Sequence, residues 1–158
     1  MYFLWENKQM KKIIFFTLFI LLGTIQAQEY KAVFDCSSSD ALYIDTRLMV
    51  MEKTIDMLEK DSKKANFVLT LHGGCVPMVS KRFTDIIPAK DIKHIAKAQE
   101  TIRRLSEKKG VEIIACAMSL KYNSIEQKDV LPFVKISENS FIDTIKYQNS
   151  GYALMPLK

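Results

Sequence analysis

Three cysteines and one histidine are the residues of this chain best fitted to do chemistry. A thiolate is a nucleophile, a metal ligand and a disulfide partner. Cys36 closes the short run Lys31-Ala-Val-Phe-Asp-Cys36, and Cys116 closes Val111-Glu-Ile-Ile-Ala-Cys116. Cys75 follows Phe67-Val-Leu-Thr-Leu71 by way of His72-Gly73-Gly74. If those runs are strands of one sheet, the three sulfurs lie at one edge. Neighbouring strands run ~4.8 Å apart, and a disulfide needs Cα atoms ~4.4–6.8 Å apart, so pairing among them is allowed. An odd count leaves at least one thiol free or paired outside the chain. Cys116 stands before a short helical stretch around Ser119 to Tyr122, whose opening amides, near Met118 and Ser119, would favour a thiolate. It is therefore the candidate reactive residue, with Cys75, Cys36 and His72 as auxiliary thiols or ligand.

Other chemistries find less support. His72 and Cys75 would suit zinc or copper together with Cys116. Two ligands three apart, with no second pair, read instead as a strand-end histidine bonded to backbone beside a Gly-Gly turn. No metal and no cofactor are expected. There is no phosphate-loop signature, no serine-histidine-acid order and no paired-carboxylate arrangement.

The elements that must position these residues alternate. After the first run come Ser37, Ser38, Ser39 and Asp40, all good helix caps. Ile44, Leu48, Met51, Ile55 and Leu58 then mark one face of a long helix. Phe67 to Leu71 is a second buried strand, and Val76 to Lys90, with Pro77 and Pro88, reads as a loop. Ile92, Ile95, Ile102 and Leu105 define the next helix, with Gly110 at its C-terminal cap. Val111 to Cys116 is the third strand. Val134 to Ile136 is a brief fourth, Phe141, Ile142 and Ile145 belong to a last helix, and Tyr152 to Met155 is the fifth strand. Strands alternating with helices in this way predict βαβ units and an α/β fold with a parallel sheet covered on both faces. Ligands of such sheets bind beyond the carboxyl ends of the strands, where the cysteines fall.

The stretch Cys116-Ala-Met-Ser-Leu120-Lys-Tyr-Asn-Ser-Ile125, with Leu131, Val134 and the ending Gly151-Tyr-Ala-Leu-Met-Pro156, resembles the DsrE/DsrF-like family. That family includes sulfur-relay subunits of tRNA thiolation and small proteins of sulfur oxidation. The resemblance runs over nearly all of Tyr30 to Pro156. It implies a three-layer α/β/α sandwich with a mainly parallel five-stranded sheet, and a homo-oligomer, trimer or hexamer. It also implies that Cys116, at the end of the third strand, takes up sulfur as a persulfide. Ser124 stands where the family commonly has a glycine. Cys36 and Cys75 are not general family features, and the relay proteins are cytosolic.

This chain, by contrast, opens like an exported one. Lys11-Lys12, an apolar run from Ile13 to Leu22, and Ile25-Gln-Ala27 have the three parts of a secretory signal. The run is shorter than the ~20 residues that span a bilayer. Residues 1–27 are thus expected to be a leader, with Met1 or Met10 as the start. Residues 28–158 would be one α/β domain delivered to the periplasm, with no stable membrane insertion after cleavage. The net charge of +5 comes from 23 basic and 18 acidic residues, and part of the excess lies in the leader. Arg103-Arg104 and Lys108-Lys109 close a helix, where cations suit the dipole. No nucleic-acid partner is expected. Three readings stand: a sulfane-sulfur carrier or transferase built on Cys116, with a sulfur donor or acceptor protein as partner; a thiol-disulfide oxidoreductase using Cys116 with Cys75 or Cys36; and a metal or small-ligand binding module with structural cysteines.

Overall fold

The computed structural model describes residues 28–158, so the expected leader lies outside the described residues. The elements are β1 (Glu29–Cys36), α1 (Ala41–Lys60), β2 (Lys64–Leu71), α2 (Ile92–Glu107), β3 (Val111–Cys116), α3 (Ala117–Tyr122), β4 (Lys135–Ser137), α4 (Ser140–Asn149) and β5 (Ala153–Leu157). All five strands run parallel in the order β4-β3-β2-β1-β5. This is the α/β fold predicted, with helices on both faces.

The two faces differ in what covers them. On one, Ala32, Phe34, Phe67, Leu69, Ile113 and Ala115 meet the buried stripes of α1 and α2 in one large apolar core. Asp40 caps α1 by accepting the Tyr43 N–H at 2.9 Å, one of the capping types noted before it. The basic end of α2 is paired rather than merely solvated. Arg104 donates to both Glu52 oxygens at 2.7 and 2.8 Å, and Lys108 to Asp56 at 2.6 Å, which ties α2 to α1. On the other face Val33, Val68 and Ile114 form a small cluster with Tyr147 of α4 and Tyr152.

Two local features depart from the sequence reading. Val76 to Lys90 is only in part the loop expected: Val76–Ser80 is buried, while residues 81–90 lie at the surface. Three 3₁₀ turns, Gly73–Val79, Phe83–Asp85 and Ala89–Asp91, carry it, and Val76, Met78 and Val79 are fully buried. The prolines and glycines obscured a stretch whose apolar side chains seal the core. Ser124, in the place of the family glycine, has φ 56°, the left-handed region that glycine enters without a Cβ penalty. The turn after α3 keeps the glycine conformation without the glycine.

Candidate functional site

Parallel register decides which side chains meet at the C-terminal edge. Asp35 pairs with Thr70, and Thr70 with Ile114; the next row is Cys36, Leu71 and Ala115. Side chains alternate between faces along a strand. Cys36 and Ala115 face the large core with α1 and α2. Asp35, Thr70, Ile114 and the residue after Ala115, which is Cys116, therefore face α4. His72 follows Leu71 with extended backbone (φ −145°, ψ 177°), and its N–H donates to the Cys36 carbonyl at 3.0 Å. One step beyond the last pair, Leu71 with Ala115, His72 and Cys116 occupy adjoining strand ends on one face.

Asp35 anchors the histidine. Its Oδ1 lies 3.1 Å from His72 Nε2 and accepts from Thr70 Oγ1 at 3.0 Å and Thr144 Oγ1 at 3.3 Å. The His72 hydrogen bond holds the Asp35 carboxyl below its usual range, against the opposing effect of burial. The same bond holds the imidazole above its ordinary value. Burial opposes this, and the negative charges of Asp35 and of ionised Cys116 add to it; Lys158 pulls the other way. The Phe141 ring meets the His72 ring edge-on, with centroids 5.9 Å apart.

Cys116 is a free thiol, only 4% exposed. Burial pushes its pKa up, but backbone and hydroxyl donors from Ser119 and Ser140 outweigh that and leave it below the ordinary thiol value. The two serines come from different directions. Ser119 belongs to α3, and its Oγ accepts the Gly73 N–H at 3.1 Å, which ties the His72 turn to the thiol. Ser140 opens α4, a helix capped by Asn139, whose side chain accepts the Phe141 N–H at 2.9 Å. The α4 residues turned to the sheet bind polar groups: Asp143 bonds Ser137, Thr144 bonds Asp35, and Tyr147 donates to Glu112 at 3.1 Å.

Cys36 and Cys75 lie apart from this group. They form a disulfide with Cα atoms 5.8 Å apart, both fully buried in the large core. The chain segments around it press together: a Cβ on Gly74 would stand 2.7 Å from the Ser38 carbonyl oxygen, so no larger residue fits without movement. The structure thus brings His72 to Cys116 and leaves the other two sulfurs on the opposite face. Among the described residues no three His, Cys, Asp or Glu side chains gather as a metal centre needs. Sequence reasoning missed Asp35, Thr144 and Ser140. Asp35 had a signal: a carboxylate at the buried end of an apolar strand, one residue from Cys36 and so on the face opposite it.

The described residues form a parallel α/β sandwich with a free cysteine at the end of the third strand. Residues 30–157 match the model of the DsrE/DsrF-like family, and the chain belongs to that family. An uncharacterized protein of Aquifex aeolicus (strain VF5) is 35% identical over 150 residues, covering 93% of this chain and 64% of that relative. The chain thus spans about two thirds of that relative's length. The solved structure of a protein of unknown function from Methanobacterium thermoautotrophicum shares the fold. Its TM-score is 0.59 at 16% identity, covering 80% of this chain and 98% of that one.

Proposed function

We propose that this protein carries sulfane sulfur as a persulfide on Cys116, in the periplasm, after export on residues 1–27. The observation that carries the reading is a free thiol at the end of the third strand, with Ser119 and Ser140 beside it favouring its ionised form. The thiolate attacks the outer sulfur of a donor R–S–S–H. A sulfur–sulfur bond forms at Cys116, the donor's sulfur–sulfur bond breaks, and its inner sulfur leaves with the electron pair. No net oxidation occurs. Export is supported by the Cys36–Cys75 bond, since disulfides persist in oxidising compartments. Exchange between that disulfide and Cys116 is disfavoured, because the sulfurs lie on opposite faces of the sheet.

Assembly into a homo-oligomer, a trimer or hexamer, belongs to the same proposal. It is supported by Phe141, Ile142 and Ile145 of α4, which are 65, 61 and 58% exposed. Light scattering that gives a monomer at micromolar concentration counts against it. The carrier reading is tested by incubating the full chain with a persulfide donor, labelling persulfides and mapping the label by mass. Label on Cys116, lost in Cys116→Ser, is expected. An unreactive Cys116 beside labelled Cys36 or Cys75 would overturn the reading.

A further inference from the structure

The carrier reading accounts for Cys116 and its serine donors. It leaves unexplained a half-buried carboxylate–imidazole pair on the same face, one strand away. Asp35 is held by three donors at once, from β2, from the turn after β2 and from α4. That arrangement fixes the orientation of the imidazole ring. Asp35 occupies Nε2, so Nδ1 is the nitrogen left to exchange a proton. Register puts the ring and the thiol on adjoining strand ends, ~4.8 Å apart in backbone spacing. The Gly73–Ser119 bond ties the two turns together.

We propose that His72, oriented by Asp35, takes and returns the proton of the Cys116 reaction, so that the site serves sulfane donors whose leaving group is a basic thiolate, the persulfides and polysulfides. The substrate class rests on the carrier reading; the proton coupling does not. In the first step the Cys116 S–H turns from the Glu138 carbonyl, its partner at 3.9 Å, and its proton passes to His72, giving thiolate and imidazolium. In the second the thiolate forms its bond to the outer sulfur of R–S–S–H while the sulfur–sulfur bond between that atom and the inner sulfur breaks. The departing R–S⁻ takes the proton from His72 and leaves as R–SH. The products are the Cys116 persulfide, a neutral thiol and neutral His72. An acidic leaving thiolate departs without that proton, so the site gives it no advantage. The charges facing His72 are Asp35 from β1, Cys116 from β3 and Lys158 beyond β5; the α4 residues against the pair, Phe141 and Thr144, are neutral.

Asp35 acts through His72 and is a positioning residue. Two measurements on the full chain decide the matter. The first compares the rate of Cys116 modification by glutathione persulfide, which leaves a basic thiolate, with that by an aromatic disulfide, which leaves an acidic one. His72→Gln should slow the persulfide reaction about 100-fold and the aromatic one less than about tenfold, within the usual range for proton-transfer catalysis. Equal slowing of both, or of neither, overturns the proposal. The second follows the His72 imidazole by NMR through a pH titration. Cys116→Ser and Asp35→Asn should each lower its midpoint; a midpoint unmoved by Cys116→Ser overturns the coupling. Wild-type protein that takes no sulfur from persulfide sinks the carrier reading and the substrate class with it, while the titration still decides whether His72 and Cys116 share a proton.

Discussion

Cys36 and Cys116 end parallel strands on either side of β2 and are almost equally buried, yet their surroundings give them opposite roles. Cys36 points into the α1–α2 core among Phe34, Leu69 and Leu71 and is bonded to Cys75. Cys116 points to the face under α4, where Ser119 and Ser140 favour its ionised form. Burial alone does not make a cysteine inert. One step of strand alternation separates a structural crosslink from a thiol held ready to ionise.

The comparison breaks most visibly if the disulfide is removed. It closes a separation of 39 residues, worth about 4 kcal/mol on the chain-entropy account. Cys36→Ala with Cys75→Ala should cost about 2–4 kcal/mol in urea unfolding and leave Cys116 reactive in the folded fraction. Loss of Cys116 reactivity in fully folded double variant would show that the two faces are not independent.

The α4 face has its own stability signature. Asp35→Ala strips His72, Thr70 and Thr144 of their shared acceptor and should cost about 2 kcal/mol. The pair is pH-dependent in both directions. Asp35, lowered in the fold, contributes stability above the ordinary carboxylate range and loses it as pH falls through its folded value. His72, raised in the fold, contributes fully below its ordinary 6.5 and loses it as pH rises through its folded value. The difference in unfolding free energy between wild type and Asp35→Ala should therefore peak between the two ordinary values, near pH 5, and shrink on either side. A difference flat with pH would show that the pair adds no charge-dependent stability.

A finer change should move reactivity without stability. Ser140→Ala removes one hydroxyl donor from Cys116 and leaves the α4 amide. The pH midpoint of Cys116 alkylation should rise, the direction that follows from losing a donor to the charged form. The smallest expected effect touches neither sulfur. Ser124→Gly relieves the left-handed backbone at φ 56° and should stabilise by about 0.5–1 kcal/mol. It serves as the control in which stability moves and both cysteines keep their behaviour.

Most of the architecture was legible because the chain alternates strictly between apolar runs and amphipathic faces. Strand positions read from Lys31, Phe67 and Val111 need only small extensions, and β4 and β5 are displaced by one residue at their starts. The site was legible only in part. Cys116 and His72 announce themselves by residue type and place. Asp35 does not, because its partners Thr70, His72 and Thr144 are set by cross-strand register and by how α4 lies on the sheet, neither of which is local in sequence. The cysteine pairing was open for the same reason: all three sulfurs reach one edge, and only the face each occupies separates them.

The strand order has a consequence for how the chain comes together. β1 is flanked by β2 on one side and by β5 on the other, and β5 belongs to the far end of the described residues. Until that segment arrives, β1 presents an open row of amides and carbonyls, a template for strands of other molecules. Contacts this distant in sequence are also slow to form. The Cys36–Cys75 crosslink joins β1 to the turn after β2, so a chain oxidised early holds its β1-α1-β2 unit closed while it waits. Refolding of reduced protein should accordingly lose more material to aggregation than refolding of oxidised protein, and added chaperone should narrow the gap.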